Sequence, residues 1–257
     1  MDMTMGRRGV VWKTPDITAD GLKMFACIAM LIQSIGIVVV ERGLINLEQY
    51  TQESLNQALA QDSHLMMLAG IGSVMQLIGG LAIPIFTFLL VEGFRNTSCF
   101  KKYFLSVLLF ALASEIPYDL AMSGKIWDFS DQNAMISLVI SLIMLYALDM
   151  VKERNGFTGG LLKVCIVIAA VVWAALFRAE YGLCIVLLTA VFEIFYTKNV
   201  LKTVLGIIVS LMYVTGPLSF YGIWCYNGVR TDRLPKYVYY AFYPLHLLVL
   251  AAIVKIC

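Results

Sequence analysis

Residues 79–121 read GGLAIPIFTFLLVEGFRNTSCFKKYFLSVLLFALASEIPYDLA, two apolar runs joined by a short polar junction. An α-helix needs roughly 20 mostly apolar residues to cross the hydrocarbon core of a bilayer, and both runs belong to segments of about this length. Each run also contains a proline, Pro84 in the first and Pro117 in the second. Membrane helices tolerate such prolines as kinks when neighbouring helices satisfy the freed carbonyl groups. The stretch therefore predicts two successive membrane helices.

The composition of the whole chain agrees with this prediction. The 257 residues are 60% hydrophobic and 14% charged, whereas soluble domains are about 45–50% apolar and about 25% charged. The net charge of +2 gives no reason to expect a nucleic-acid partner, so membrane lipids are the expected surroundings. The six cysteines are scattered and there are only two histidines, so we predict neither a metal site nor a disulfide framework.

Eight segments qualify as membrane spans, and they define the predicted fold. We place them at about 22–40, 65–91, 102–122, 133–150, 161–177, 182–197, 201–222 and 237–256. The predicted fold class is therefore all-α, a polytopic integral membrane protein with one domain over residues 1–257. A short cytoplasmic leader, 1–21, precedes the first span, and an outer loop, 41–64, is expected to hold a short surface helix.

Lysine and arginine residues indicate the orientation, because they are enriched in cytoplasmic loops. With a cytoplasmic N-terminus and eight spans, 13 of the 19 basic residues fall inside and 6 outside. This distribution favours both termini in the cytoplasm. One loop disagrees, GVRTDRLPK at 228–236, because it places three cations on the outer side. It is either a weak orientation signal or a functional site.

Several polar residues fall inside the predicted spans, where such groups are costly without a partner or a wet cavity. Nearly all lie in the outer half of the bundle, as one cavity lined by several helices would produce. An interfacial position explains those near helix ends but not the deepest ones. The candidate substrate-binding residues are Gln33, Ser34, Gln76, Asn133, Arg178, Glu180, Tyr181, Asn227, Arg230 and Tyr243.

Three further residues are candidates for catalysis. Glu115 and Asp119 are four residues apart and share a helix face, and they repel unless a cation or a shared proton lies between them. They either pair with Arg178 or Arg230, or one of them orients a catalytic imidazole or a substrate amine. His246 stands in the apolar run FYPLHLLVL. It is either a helix–helix hydrogen-bond donor or the group that carries a proton near neutral pH.

Small residues in the second span predict a close helix contact. Gly72, Gln76 and Gly80 follow one another at four-residue steps, and small residues at that spacing let another helix approach closely. A narrow passage for an acyl chain or a pantetheine arm is the functional alternative.

The order of motifs resembles the TraX family. The opening stretch is followed by QNAMISL at 132–138, AEYG at 179–182 and YYAFYPLHLL at 239–248, and the resemblance covers roughly residues 22–250. The founding member of that family is tied to N-terminal acetylation of a conjugative pilin. The resemblance thus implies a membrane-embedded acetyltransferase of the bacterial inner membrane. It would use acetyl-CoA as donor without a metal, and acetylate an envelope peptide such as a pilin-like N-terminus, or a small acceptor. A membrane histidine would serve as general base or acetyl carrier.

The chain departs from the family pattern at positions that carry charge or proton chemistry. Gln33 and Ser34 stand where an Asp-His pair is usual, Gly80 where an arginine is usual, Asn96 where a histidine is usual, and Glu180 where an aspartate is usual. The family residues that remain are Glu115, Pro117, Asp119, Asn133, Tyr181, Gly182, Tyr243 and His246. Three functions stay open: an enzyme that depends on His246, a catalytically degenerate partner of an active TraX-like paralogue, and a small-molecule transporter.

Overall fold

The computed structural model of the protein describes residues 16–154, 156–229 and 235–256. All regular elements in these ranges are helical, as predicted. The α-helices are α1 (Ala19–Ser34), α2 (Gln52–Gln61), α3 (Ser63–Gly79), α4 (Ala82–Arg95), α5 (Phe100–Met122), α6 (Ala134–Met150), α7 (Gly156–Leu176), α8 (Gly182–Ile194), α9 (Asn199–Ser210), α10 (Ser219–Trp224) and α11 (Lys236–Ile256). A π-helix, Ile35–Ile45, continues α1, and short 3₁₀ turns cover Leu47–Gln49 and Gly216–Leu218.

The described helices have the length and composition of an integral membrane protein. Five stretches are long and apolar enough to cross a bilayer: Ala19–Ile45, Ser63–Arg95, Phe100–Met122, Gly156–Leu176 and Tyr237–Lys255. Helices α6, α8 and α9 are apolar but shorter. The predicted short helix in the loop 41–64 is α2, whose N-terminus is closed by a capping box between Thr51 and Ser54.

The segment predicted as the seventh span, 201–222, is a hairpin rather than a single helix, so that prediction is wrong. Three contacts pair its two arms, α9 and α10: Thr203 with Trp224, Gly206 with Phe220 and Ser210 with Gly216. The indole nitrogen of Trp224 donates to the Thr203 hydroxyl over 3.0 Å. Gly216 and Pro217 lie in the tip, where proline cannot continue a helix from the preceding residues, since it has no N–H and disfavours a helical residue before it.

The second arm of the hairpin, α10, ends at the same end of the bundle where α1 begins. The backbone N–H of Ile17 donates to the carbonyl of Cys225, just after α10, over 2.9 Å. The ammonium of Lys23 lies 5.1 Å from the centre of the Tyr239 ring, so α1 and α11 both start at this end. We name it the Lys23 end. The flanks of the loop 228–236 lie here too, so they no longer fall on the side opposite to Lys23.

The last helix, α11, finishes at the opposite end of the bundle, which we name the Arg42 end. Arg42 donates to the carbonyls of Leu120 and Ala121 at the end of α5, over 3.0 and 2.7 Å. A Cβ atom on Gly43 would meet Val254 of α11 at 3.3 Å. Helix α1 therefore starts, and α11 finishes, at opposite ends. A hairpin thus replaces one of the eight predicted crossings, and the prediction of two cytoplasmic termini stays a prediction, because residues 1–15 lie outside the described residues.

Close packing of the first and third helical segments follows the predicted glycine pattern. A Cβ atom on Gly72 would meet the Glu41 side chain at 3.1 Å, and one on Gly36 would meet Met75 at 2.8 Å. Glycine thus lets the α1–π-helix segment and α3 approach at Gly36 and Gly72, as small residues do in membrane helix pairs.

The hairpin predicts on which side of the membrane Asn227 lies. Single cysteines at exposed positions, Ser98→Cys, Asn227→Cys and Ser63→Cys, are introduced after replacement of the native cysteines. We expect an impermeant maleimide to label Asn227→Cys from the same side as Ser98→Cys and from the side opposite to Ser63→Cys, because α9 and α10 turn back. Labelling of Asn227→Cys together with Ser63→Cys would contradict the hairpin.

Candidate functional site

A cavity lies inside the bundle between mid-depth and the Lys23 end. Its volume is about 200 Å³, and it is partly open to the surroundings. Its lining comes from α1, α4, α5, α6, α8 and α11 and is mostly apolar or aromatic: Met30, Ala82, Ile83, Phe86, Leu89, Leu90, Tyr103, Val107, Ala134, Met135, Leu138, Ile185, Tyr239, Tyr240 and Tyr243. Lys23 lies at one end of this lining, and Gln33 and Tyr181 at the other.

The deep end of the cavity lies about halfway through the bundle. Gln33 follows Ala19, the first residue of α1, by 14 positions, or about 21 Å of helix at 1.5 Å per residue. Its side-chain amide donates to the Tyr181 hydroxyl over 2.7 Å. The bond joins α1 to the turn before α8. It holds an amide where a bilayer about 30 Å thick offers no water.

The Gln33–Tyr181 pair belongs to a larger group of polar side chains. We name Gln33, Glu115, Tyr118, Asn133, Glu180, Tyr181 and Tyr243 the inner polar cluster. The hydroxyls of Tyr181 and Tyr118 lie close enough to the Glu180 carboxyl to affect its ionisation. The Tyr243 hydroxyl lies near the backbone N–H of Ala134, the first residue of α6. Four helices and a turn therefore contribute polar groups to one site.

Glu115 is held by an amide and not by the arginines suggested from the sequence. The side-chain N–H of Asn133 donates to Glu115 Oε2 and, over 2.9 Å, to the carbonyl of Ala111. Asn133 also caps α6, since its Oδ1 accepts from the N–H of Met135 over 2.9 Å. Oε1 of Glu115 is buried and has no hydrogen-bond partner among the described residues. One oxygen of this carboxyl group is thus left for a proton or a ligand.

Glu180 has an unusual ionisation. It lies in the turn between α7 and α8, where withdrawal from water raises the pKa of its carboxyl to about 7, against the lowering effect of the nearby tyrosine hydroxyls. A carboxyl with such a pKa exchanges a proton near neutral pH. The turn thus places a proton-exchanging group beside the deep end of the cavity.

Ser34 and His246 form a second pair directly beside the cavity. Ser34 Oγ lies 3.0 Å from His246 Nε2, and His246 Nδ1 lies 2.8 Å from the carbonyl of Phe242. Both side chains are buried. Their neighbours Gln33 and Tyr243 line the cavity, and α1 changes to a π-helix immediately after Ser34. Such local changes of helix type occur frequently at functional sites.

Four predicted site residues lie elsewhere in the described chain. Asp119 accepts from the backbone N–H of Asp128 over 2.9 Å and so holds the loop after α5. Gln76 is exposed and donates to Glu41, and Arg178 donates to the carbonyl of Ser130 over 3.2 Å. Asn227 lies at the Lys23 end, where its Oδ1 accepts from the N–H of Val229. Arg230 lies outside the described residues.

Four tyrosines of the site were not among the site residues predicted from the sequence. Tyr118 lies beside Glu180, while Tyr103, Tyr239 and Tyr240 line the cavity toward the Lys23 end. Aromatic residues near a helix end are typical of a membrane interface, which conceals a role in a cavity wall. The four-residue spacing of Tyr239 and Tyr243 was the available signal, since it places both on one face of α11.

Comparison with known proteins assigns the family. Residues 18–254 match the family model described as TraX protein. The chain belongs to the TraX family. No curated protein and no solved structure matches it. The TraX match therefore extends over both the cavity and the inner polar cluster.

Gly80 and Asn96, two positions singled out in the sequence, have structural roles. A Cβ atom on Gly80 would lie 2.7 Å from the Thr215 hydroxyl at the tip of the hairpin, so no larger side chain fits there in this packing. Asn96 donates to the carbonyl of Glu92 over 2.8 Å and closes the end of α4. Within the described residues there is no group of three or more metal-ligating side chains.

The position of Gln33 generates a stability prediction. A Cβ atom on Gly79 would lie 2.3 Å from the Gln33 side chain, whereas one on Gly70 of the same helix would meet nothing within 4 Å. We expect Gly79→Ala to cost about 1–3 kcal/mol through overpacking. Gly70→Ala is the control, because it makes the same substitution in the same helix without a steric contact. Thermal unfolding in detergent measures the difference, and equal stability of the two variants would refute it.

Proposed function

We propose that this TraX protein transfers an acetyl group from acetyl-CoA to an amine or hydroxyl acceptor, an envelope peptide or a small molecule. One observation carries the proposal: an apolar cavity runs from the Lys23 end to Gln33, Tyr181 and Tyr243 of the inner polar cluster. Such a cavity suits an acyl thioester, which has an apolar arm and a reactive carbonyl that needs polar groups only at its tip.

The distribution of basic residues supports donor entry from the cytoplasm. Among the described residues four cations lie at the Arg42 end: Arg42, Lys125, Arg178 and Lys255. Ten lie at or near the Lys23 end: Lys23, Arg95, Lys101, Lys102, Lys152, Arg154, Lys163, Lys198, Lys202 and Lys236. Because cytoplasmic loops are enriched in lysine and arginine, we place the Lys23 end in the cytoplasm of a bacterium, where acetyl-CoA is made. The basic rim also attracts the phosphates of coenzyme A.

The side chains at the deep end match the chemistry of acyl transfer. An acceptor amine or hydroxyl must lose a proton as it attacks the thioester carbonyl, and an imidazole is suited to take it. Nε2 of His246 is the nitrogen available for this, because Nδ1 is bonded to a carbonyl. Glu115 and Glu180 place carboxyl oxygens nearby, where they attract and orient an acceptor that carries an ammonium group.

The cavity provides the test of donor binding. Leu138 lines it from α6, while Ile143 of the same helix is exposed on the outside of the bundle. We expect Leu138→Trp to raise the KM for acetyl-CoA roughly tenfold or more, since the indole fills space that the donor occupies, and Ile143→Trp to leave it unchanged. The assay follows thiol release from acetyl-CoA by the purified protein. Equal kinetics of the two variants would exclude this cavity as the donor site.

The imidazole provides the test of chemistry. We expect His246→Ala to lower kcat for acetyl-CoA turnover by about 10²–10⁴-fold, the range for loss of a general base, with little change in KM. Unchanged turnover would remove His246 from the mechanism. No turnover by the native protein would refute the proposed activity.

A non-catalytic relative is the second candidate, and the contact between Gly80 and Thr215 favours it. The hairpin tip occupies the space of a larger side chain at position 80. The arginine that the resemblance implies there is therefore replaced by a packing contact, and no other charged group takes its place at that position. Under this alternative the protein assembles with or regulates an active TraX-like paralogue. Co-purification with that paralogue, together with failure to bind acetyl-CoA, would support it.

A further inference from the structure

Among the described residues, the buried hydroxyl of Ser34 differs from the others in bonding to an imidazole. Serine and threonine in membrane helices commonly donate to a carbonyl one turn earlier in their own helix. Thr87, Ser114, Thr189 and Ser210 all do so, with distances of 2.5 to 2.9 Å. Ser34 instead lies 3.0 Å from an imidazole nitrogen on α11, 212 positions away in the chain. Its hydroxyl is therefore bonded to a base.

The second nitrogen of the ring fixes the direction of this hydrogen bond. Nδ1 of His246 lies 2.8 Å from the carbonyl oxygen of Phe242. A carbonyl only accepts hydrogen bonds, so Nδ1 carries the proton of the neutral ring and Nε2 is the acceptor. The Ser34 hydroxyl consequently donates to Nε2. This is the arrangement of an activated hydroxyl nucleophile, a base that is itself oriented by a third group.

The surroundings hold the imidazole in this orientation. The ring stacks on Phe242 at 5.1 Å between centres and meets the edge of Tyr243 at 5.7 Å. His246 and Ser34 are only 7% and 6% exposed. Neither side chain lines the cavity itself, but their neighbours do: Gln33 directly precedes Ser34 in the chain, and the Tyr243 ring that meets His246 is part of the cavity wall.

We propose that Ser34 is the nucleophile of this protein and carries the acyl group as an ester between two half-reactions. The inference rests on the proposed acetyl transfer and adds a covalent intermediate to it. The resemblance implies a histidine at position 34, and the serine found there would carry the acyl group on an oxygen, with His246 as its base.

The first half-reaction balances as follows. The Ser34 oxygen attacks the thioester carbonyl while its proton passes to His246 Nε2. The carbon–sulfur bond then breaks, and the leaving sulfur takes that proton from the imidazolium to depart as the free thiol of coenzyme A. The products are acetyl-Ser34, neutral His246 and coenzyme A.

The second half-reaction regenerates the serine. The nitrogen or oxygen of the acceptor attacks the ester carbonyl while its proton passes to Nε2. The ester bond to Ser34 breaks, and the serine oxygen takes the proton back. One base thus serves both steps, and no oxidant, reductant or metal is needed.

The covalent intermediate is tested by mass spectrometry on the full-length protein in detergent. The protein is incubated with acetyl-CoA, quenched in acid and digested. We expect the mass increase of one acetyl group on the peptide that contains Ser34, and no such increase in Ser34→Ala or His246→Gln. Ser34→Cys should restore labelling as a thioester that hydroxylamine removes. Ser210→Ala is the matched control, because its buried hydroxyl bonds only within α9, and it should be labelled as the native protein is.

Turnover separates the possible outcomes. We expect Ser34→Ala to consume acetyl-CoA roughly 100-fold more slowly or worse. If the native protein consumes acetyl-CoA while Ser34→Ala is equally fast and no adduct forms, transfer is direct. The nucleophile is then refuted and the acetyltransferase stands. A Ser34→Ala protein that unfolds is replaced by Ser34→Cys, whose failure to form the thioester is equally decisive.

A second substrate distinguishes failure of the nucleophile from failure of the donor. p-Nitrophenyl acetate reports acylation by a stoichiometric burst of nitrophenol without any requirement for coenzyme A recognition. A burst in the native protein and in Ser210→Ala, absent from Ser34→Ala, supports the nucleophile even if acetyl-CoA is not consumed. In that case acetyl-CoA is refuted as the donor, and Ser34 stands as the nucleophile. Absence of both the burst and acetyl-CoA consumption refutes the two proposals together.

Discussion

A polar side chain in the middle of a bilayer has no water to bond, so its partner must come from another part of the protein. This constraint determines how the bundle is assembled. Gln33 on α1 bonds to Tyr181 before α8, Asn133 before α6 bonds to Glu115 on α5, and Ser34 bonds to His246 on α11. Each bond joins segments far apart in sequence. The site is therefore part of what orders the helices around it.

The same constraint explains why two breaks in helical structure lie side by side. The chain leaves the helix between α3 and α4 and again at the tip of the α9–α10 hairpin. The hydroxyl of Thr215 at the tip donates to the carbonyl of Leu77 near the end of α3. Non-helical backbone at membrane depth is tolerated only where protein or a cavity satisfies it. The hairpin tip thus supplies a hydrogen-bond donor to the break between α3 and α4.

Helix content and membrane character could be predicted from the sequence because they depend on local apolar runs. The family could be predicted because its motifs stand in order. The hairpin was missed because a hydropathy count measures apolar residues and not the path of the chain. Leu211, Met212 and Val214 around its tip are apolar and exposed, like residues of a true span. The Gly216–Pro217 pair was the contrary signal.

The candidate site was only partly predictable for a related reason. Depth in a span can be read from the sequence, so Gln33, Glu115, Asn133, Tyr181 and His246 were selected. It is harder to predict from the sequence which neighbouring element a side chain on a helix will face. Gln76 and Asp119 have the right residue types, but their contacts are with Glu41 and with a loop. The pairing of Ser34 with His246 has no signature in the sequence, because it depends on the packing of α1 against α11.

The contact between Gly80 and the hairpin tip also limits which residues positions 80 and 215 can hold. A Cβ atom at position 80 would lie 2.7 Å from the Thr215 hydroxyl, and that hydroxyl donates to the carbonyl of Leu77. A larger residue at position 80 alone would push against the tip and disturb this bond, so it becomes acceptable only after Thr215 has changed. The two positions are therefore coupled, and the order in which substitutions can be accepted at them is constrained.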